Sequence, residues 1–334
     1  MIRRVMNAYA SRVMNAYASR VMTSDKFQQR NGEVVILMYH GVVDVQPILP
    51  DWCMLQKEQF ENQIKYLKQN FNVISLSDAV DGLQQGTITG PTAVITFDDG
   101  YQNNYDTAYP ILAKYQAPAT IFLTTKFIDS DETIWTGVLQ DAFGRSKVNT
   151  LRWRGEVLDL RSVESKNKSM AWIKAQLKKE NFTIIDKEVA EIVNVLSGGL
   201  GFQLKSTSPY RMMTTDMIRH MAKSELIEFG AHTHNHPILS KNTKCVQKKE
   251  IEESISIVSN LIDKPCGMFA YPNGRRVDYS SDSVDILNQT SVSIALTTQF
   301  GLCKKSTPLL EYNRYGIGND SDFERGLYKA YAKK

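Results

Sequence analysis

Residues 92–100 read TAVITFDDG, a short apolar run that ends in two adjacent acids and a glycine. The run predicts a buried strand, because its apolar residues are continuous and turn residues follow it directly. Similar β-rich runs recur along the chain and alternate with segments of helical apolar spacing, such as Phe60, Ile64 and Leu67 within 57–70. This alternation is typical of a parallel sheet with helices outside it.

The number of such runs predicts how the sheet closes. The predicted strands lie at 33–42, 92–100, 118–124, 226–233, 267–272, 293–298 and 311–318, and the predicted helices at 57–70, 104–115, 214–223, 246–262 and 281–289. About seven parallel strands favour a closed or nearly closed (β/α) barrel. Functional residues of such barrels lie at the carboxyl ends of the strands, where His40, the acids at 98–99, the histidines at 232–236 and Arg314 fall in this prediction.

Segment 126–212 interrupts the alternation. Residues 150–160 predict a hairpin that turns at Arg154-Gly155, and 162–180 and 186–196 predict helices. We interpret the segment as an insertion in a single barrel of residues 31–334. Three of its tryptophans, Trp135, Trp153 and Trp172, are expected to form a small core of their own, with a sugar-stacking role as the alternative. Segment 1–30 contains a tandem repeat, RVMNAYAS at 4–11 and 12–19, and is not expected to belong to the fold.

Composition excludes several classes of protein. The chain carries 40 basic and 36 acidic residues, a balance that argues against nucleic-acid binding. No apolar run is long enough for a transmembrane helix. The four cysteines are widely spaced, which favours reduced thiols rather than a disulfide framework. Without a clear export signal we expect a cytoplasmic protein; the composition leaves the oligomeric state open.

The paired acids Asp98 and Asp99 indicate a site that uses charge. Like charges this close are costly unless something binds them. A metal ion allows one carboxylate to act as a ligand while the other remains free as a base. The alternative is an acidic turn ended by Gly100, and the pair alone does not decide between them.

Three of the five histidines fall in GAHTHNHP, residues 230–237. Pro237 and the preceding strand predict a turn rather than a helix, and a turn can bring the imidazoles of His232 and His236 together. Two imidazoles and one carboxylate suit Zn²⁺ or another late first-row dication. The alternative is a solvated, histidine-rich loop.

TFDDGYQNNYDTAYPIL (96–112), EFGAHTHNHPIL (228–239) and FAYPNGR (269–275) resemble the motifs of the NodB-type polysaccharide deacetylases (carbohydrate esterase family 4). The similarity covers about residues 33–325 and is weakest in the insertion. It implies a distorted (β/α) barrel and a hydrolase that removes acetyl groups from sugars with a divalent metal, Zn²⁺ first, with Co²⁺, Ni²⁺ or Fe²⁺ as alternatives. It also implies that Asp99, His232 and His236 are the metal ligands and that Asp98 is the general base. Thr233 supports the loop, and His234 has no role in the family and is expected to face solvent.

Two family features are absent from their usual places. The third motif lacks the arginine that pairs with the base, so Arg314 on the last strand is the candidate replacement, with a rim ion pair as the equal alternative. A backbone N–H near Asn273 is the candidate oxyanion donor. No histidine follows His236, so the general acid is missing at its customary position. His40, in MYHGV, resembles the early histidine of the permuted poly-N-acetylglucosamine deacetylases and is the candidate acid, a buried structural histidine being the alternative.

The resemblance implies an acetylated glycan or amino-sugar precursor as substrate. Two other functions stay open: hydrolysis of a formamide or other amide on a small molecule, and carbohydrate binding without catalysis. A polymer, a lipid-linked sugar and a nucleotide sugar all agree with the sequence.

Overall fold

The computed structural model describes residues 30–319 and 322–332; the predicted repeat segment lies outside them, except for residue 30. Its strands are β1 (Val34–Tyr39), β2 (Gly41–Val43), β3 (Met54–Gln56), β4 (Asn72–Val73), β5 (Thr92–Phe97), β6 (Ala119–Leu123), β7 (Thr150–Trp153), β8 (Glu156–Asp159), β9 (Ile227–Ala231), β10 (Met268–Ala270), β11 (Ile294–Leu296) and β12 (Tyr315–Gly316).

A parallel sheet in the order β11-β10-β9-β6-β5-β1-β12 forms the centre of the molecule, and β4 pairs with the start of β5. The two ends of this sheet approach each other through the segment before β12, where Tyr312 forms a parallel bridge with Leu296 of β11. The sheet is therefore a distorted (β/α) barrel, as the alternation of strands and helices predicts.

The helices are α1 (Lys57–Asn70), α2 (Leu76–Gln85), α3 (Tyr109–Lys114), α4 (Trp135–Arg145), α5 (Val163–Leu177), α6 (Phe182–Leu196), α7 (Thr215–Ala222), α8 (Lys244–Leu261), α9 (Ser281–Leu287) and α10 (Phe323–Ala332). Polar side chains define several of their starts: Ser75, Thr214 and Thr243 each accept a hydrogen bond from a backbone N–H of the first turn. In α1 the predicted apolar stripe is buried against the sheet. Within the described residues no helix is both long and apolar enough to cross a membrane.

Segment 126–212, which we interpret as an insertion, contains α4, the β7–β8 hairpin, α5 and α6. Trp153 pairs with Glu156 across the predicted turn. Trp135 and Trp153 are buried in a hydrophobic cluster separate from that of the barrel, and Trp172 packs against it. The rings of Trp153 and Trp172 pack edge to face, with 5.5 Å between their centroids. The cluster also takes in Leu49 and Met54, so the insertion packs on the loop between β2 and β3.

The structure differs from the predicted elements in several places. The predicted strand 33–42 breaks at His40, and β2 leaves the barrel to pair with β3. The predicted helix 104–115 begins as a π-helix over Asn104–Ala108, and Pro110 lies in the first turn of α3. Helices α2, α4 and α10 and the short strands β3 and β4 are not predicted from the sequence.

Candidate active site

The two acids follow β5 at the carboxyl edge of the barrel. The Asp98 N–H donates to the Tyr39 carbonyl at the end of β1, 2.9 Å away, so the two strand ends are joined at this level. Asp99 and Gly100 then have φ angles of 77° and 85°, a left-handed conformation that costs a non-glycine residue free energy. Both carboxylates are buried. The chain therefore leaves β5 by a strained turn that keeps two charges out of water.

The histidine loop follows β9 and is a turn, as predicted. Thr233 and His236 also have left-handed φ angles, 66° and 60°. The Thr233 hydroxyl donates to the His232 carbonyl at 2.5 Å and accepts from the His236 N–H at 3.1 Å. This bridge closes the turn and brings the two imidazole centroids to 4.9 Å, which matches the supporting role expected for Thr233.

Asp99, His232 and His236 converge. Asp99 Oδ1 lies 3.6 Å from His232 Nε2 and 3.4 Å from His236 Nε2, and one ligand atom from each residue lies within 4.8 Å of the others. His232 Nδ1 donates to the Ala270 carbonyl at 2.7 Å, which leaves the lone pair of Nε2 directed at this cluster. Asp99 Oδ1 and His236 Nδ1 are buried without a hydrogen-bond partner among the described residues.

These three side chains fit a divalent cation. Burial raises the pKa of Asp99 to about 6, against the opposing effect of His232. Burial also lowers the pKa of His236 well below its usual value. A neutral imidazole is the form that binds a metal, and a buried carboxylate without a counter-charge is stabilised by one. The donor set of two nitrogens and one oxygen is that of catalytic zinc sites.

Asp98 is held by Arg314, which lies just before β12. The guanidinium donates from Nη1 to Asp98 Oδ1 at 2.6 Å and from Nη2 to Oδ2 at 2.8 Å, and its Nε donates to the Thr297 carbonyl at 2.8 Å. Although burial raises the pKa of Asp98, Arg314 and then His232 lower it to about 2. Arg314 thus pairs with the candidate base itself, as proposed from the sequence, and the carboxylate is ionised at any physiological pH.

His40 lies between β1 and β2, one residue beyond the Tyr39 carbonyl that binds the Asp98 N–H. Its ring contacts Trp52 edge to face with centroids 5.1 Å apart, and its buried Nδ1 has no partner among the described residues. Burial lowers the pKa of His40, and the nearby Asp98 partly offsets this effect. The imidazole therefore lies at the same edge of the sheet as the acids.

Asn273 follows β10 with a left-handed φ of 59°. Its carbonyl accepts from the Thr298 hydroxyl at 2.6 Å, and its N–H has no acceptor in the described part of the chain. The next residue, Gly274, has φ 63°, and a Cβ there would lie 2.9 Å from the Thr298 backbone nitrogen. The tight turn explains the glycine and leaves the Asn273 N–H available as a donor.

A second layer supports the histidine turn and was not predicted. Glu250, buried on α8, accepts from the backbone N–H groups of His234 and Asn235 at 3.0 and 2.7 Å and from the Asn235 side chain at 2.7 Å. His234 is half-buried rather than solvent-facing, because its Nδ1 lies 2.9 Å from the Thr125 hydroxyl. No local spacing links residue 250 to the turn, so only the packing of α8 against β9 reveals this contact.

Comparison with known proteins gives the family. The family model described as polysaccharide deacetylase matches residues 85–295, a range that contains Asp98, Asp99, His232, His236 and Asn273 but neither His40 nor Arg314. In the Streptococcus pyogenes deacetylase PplD, solved in complex with acetate, the fold is similar at a TM-score of 0.59 and 19% identity, over 90% of this chain and 99% of that one.

Two curated relatives match over shorter stretches. YxkH of Bacillus subtilis (strain 168), whose name assigns it provisionally to the same family, is 35% identical over 102 residues, which are 30% of this chain and 35% of YxkH. The poly-β-1,6-N-acetyl-D-glucosamine N-deacetylase of Staphylococcus aureus (strain MSSA476) is 27% identical over 176 residues, which are 52% of this chain and 59% of that enzyme. The match thus spans about a third and about three fifths of these relatives. Taken with the motifs and the barrel, the family model shows that this chain belongs to the polysaccharide deacetylase family.

Proposed function

We propose that this protein is a metal-dependent hydrolase that removes N-acetyl groups from an amino sugar of a glycan. One observation carries the proposal: the arginine-bound carboxylate of Asp98 lies beside a cluster of three converging ligand atoms, one each from Asp99, His232 and His236. Asp98 Oδ2 is 4.0 Å from His232 Nε2, so the candidate base borders the candidate metal site. A purely structural acidic turn has no need of either arrangement.

The residues divide the reaction between them. A divalent cation held by Asp99, His232 and His236 would supply a Lewis acid that polarises the acetyl carbonyl and makes water more acidic. Asp98 accepts a proton from the attacking water, and Arg314 keeps that carboxylate ionised and oriented. The Asn273 N–H donates to the oxyanion that develops on the acetyl group. His40 gives a proton to the nitrogen as the C–N bond breaks, so the products are an amine and acetate.

The names of the relatives support a class of substrate. The S. aureus relative is named for poly-β-1,6-N-acetyl-D-glucosamine, and we propose a glycan containing N-acetylglucosamine for this chain as well. Zn²⁺ is the proposed cation because the nitrogen and carboxylate ligands leave open positions for substrate, as in catalytic zinc sites. The cytoplasmic location stays a prediction.

The test is metal content measured together with acetate release. The purified protein is expected to hold about one metal ion per chain and to release acetate from N-acetylglucosamine oligosaccharides, with activity lost on chelation and restored by Zn²⁺. Metal without acetate release would redirect the search to other acyl groups or to a binding role. A protein that takes up no metal after reconstitution would contradict the proposal.

A further inference from the structure

Trp52 differs from the buried tryptophans of the molecule. Trp135 and Trp153 lie in the core of the insertion, whereas Trp52 is 49% exposed on the loop between β2 and β3. An exposed tryptophan leaves a large apolar face in water, and such faces are common at binding sites. The family roles discussed above do not include this residue.

The position of Trp52 relates it to the proposed reaction. Its indole packs edge to face on His40, 5.1 Å between ring centroids, and His40 is the proposed proton donor to the amine. The proton donor faces the leaving group, not the acetyl group. The indole therefore flanks the part of the site where the amine and the molecule that carries it must lie.

The loop that carries Trp52 is fixed on both sides of the tryptophan. The Trp52 carbonyl accepts from the Asn319 N–H at 2.9 Å, and the next carbonyl, that of Cys53, accepts from the Gly41 N–H at 3.0 Å. The Tyr210 hydroxyl donates to the Asp51 carboxylate at 3.0 Å.

The insertion fixes the same loop. Gln140 on α4 donates to the carbonyls of Leu49 and Pro50 at 3.3 and 3.1 Å. The indole is thus exposed on a loop that is held by the barrel, the insertion and the segment after β12. A rigid, exposed aromatic face is a preorganised binding surface rather than a mobile side chain.

We propose that Trp52 is the platform on which the pyranose ring bearing the leaving amine stacks. The C–H groups on one face of a pyranose form an apolar surface that suits an indole. This inference rests on the proposed function and narrows it: the amine that leaves belongs to a sugar, and small amides without a ring are poor substrates.

Binding in an inactive background tests the platform directly. A tetrasaccharide of β-1,6-linked N-acetylglucosamine is titrated calorimetrically into Zn²⁺-loaded Asp98→Asn protein, with and without Trp52→Ala. Trp52→Ala is expected to raise Kd about 10- to 100-fold, and Trp52→Phe, which keeps an aromatic face, is expected to recover most of the loss. Ile48→Ala is the matched control, since Ile48 is exposed on the same loop and its side chain lies next to Gly144 of α4. Its Kd should stay within about twofold of the parent.

In the active protein, Trp52→Ala is expected to act on KM for the tetrasaccharide more than on kcat. A Kd for the Trp52→Ala variant within about twofold of its Asp98→Asn parent overturns the platform, even if acetate is released. A wild-type protein that releases no acetate, combined with tetrasaccharide binding that still depends on Trp52, keeps the platform and rejects the proposed hydrolysis. Wild-type protein that neither binds nor hydrolyses the tetrasaccharide overturns both.

Discussion

Arg314 and Arg154 each hold a carboxylate in a two-pronged pair, one at the candidate site and one on the insertion. Arg314 binds Asp98 below the barrel mouth, and the two side chains are 0% and 4% exposed. Arg154 binds Glu188 on the insertion through Nε and Nη2 at 2.9 and 2.7 Å, with side chains that are 32% and 19% exposed. The hydrogen-bond lengths are similar, but the first pair is fully buried and the second is partly exposed.

The difference in burial separates two roles. An exposed pair is screened and contributes little to stability. Both members of a buried pair lose their hydration, which costs free energy. Such a pair is therefore expected where its charge serves a function. Arg154 attaches the β7–β8 hairpin to α6, whereas Arg314 sets the ionisation of a carboxylate at the candidate site. Variants of both pairs, and of two neighbouring groups, test this distinction.

The largest effect is expected for Asp98→Asn. The amide cannot accept the proton of water, so kcat should fall by about 10³-fold or more. Asp99, His232 and His236 remain, so metal content measured by atomic spectroscopy should stay near that of the wild type. Loss of metal from a folded variant would contradict the assignment of Asp98 as base.

Arg314→Met removes the guanidinium and leaves Asp98 buried without a partner. The free energy of unfolding should fall by about 3–5 kcal/mol. The pH profile gives the sharper result: Arg314 lowers the pKa of Asp98 while burial raises it, so the variant should protonate its base at higher pH. The acid limb of kcat against pH should therefore move upward. Arg314→Lys, which keeps the charge, is the control and should move it less.

His40→Ala tests a half-buried imidazole whose Nδ1 has no hydrogen-bond partner among the described residues. Loss of the proton donor should lower kcat by about 10²-fold while the metal stays bound. The rate of hydrolysis of an amide with a good leaving group, such as an acetanilide with an electron-withdrawing substituent, should fall less, because its amine needs less help from a proton donor. Equal rates for wild type and variant would return His40 to a structural role.

Glu250→Gln tests whether the buried carboxylate of Glu250, which binds backbone N–H groups rather than an arginine, stabilises the metal site. The Gln NH₂ would face N–H groups that now donate to a carboxylate, so the turn between His232 and His236 should loosen. Zn²⁺ affinity is expected to fall about 10- to 100-fold, measured by competition with a chelating dye. Glu252→Gln, on the exposed side of the same helix, should leave affinity unchanged, and the thermal stability of the metal-free proteins shows whether the fold is intact.

The smallest effect is expected for Arg154→Ala. Its pairs with Glu180 and Glu188 are partly exposed, so the free energy of unfolding should fall by about 1 kcal/mol or less, and by less still in high salt. Acetate release should not change. A loss as large as that of Arg314→Met would mean that burial does not separate the two pairs.

Much of the site could be predicted because it depends on strand ends. Asp99, His232 and His236 follow buried strands, and parallel strands bring such ends to one edge of the sheet. The left-handed φ angles of Asp99, Thr233, His236 and Asn273 could not be predicted, because these residues have no intrinsic preference for that conformation strong enough to reveal it. Surrounding contacts impose it.

The missed residues act over long sequence separations. Glu250 reaches the histidine turn only through the packing of α8, and Trp52 is defined by a loop that three distant segments fix. The sequence leaves two equal interpretations of Arg314, a rim ion pair and an arginine that binds the base. They cannot be distinguished until the register of the strands is known. The strand β1 ends at Tyr39, because the chain leaves the barrel at His40 for a second small sheet. The continuous apolar run of the sequence conceals this break.

The separation of Asp98 and Arg314 in the chain also affects how the protein is made. The two residues are 216 positions apart. At about 5–20 residues per second, a ribosome adds Arg314 roughly 10 to 40 s after Asp98. During that interval the nascent chain contains Asp98 but not the guanidinium of Arg314, which compensates for the burial of that carboxylate. Final closure of the barrel mouth must therefore wait until Arg314 has been synthesised.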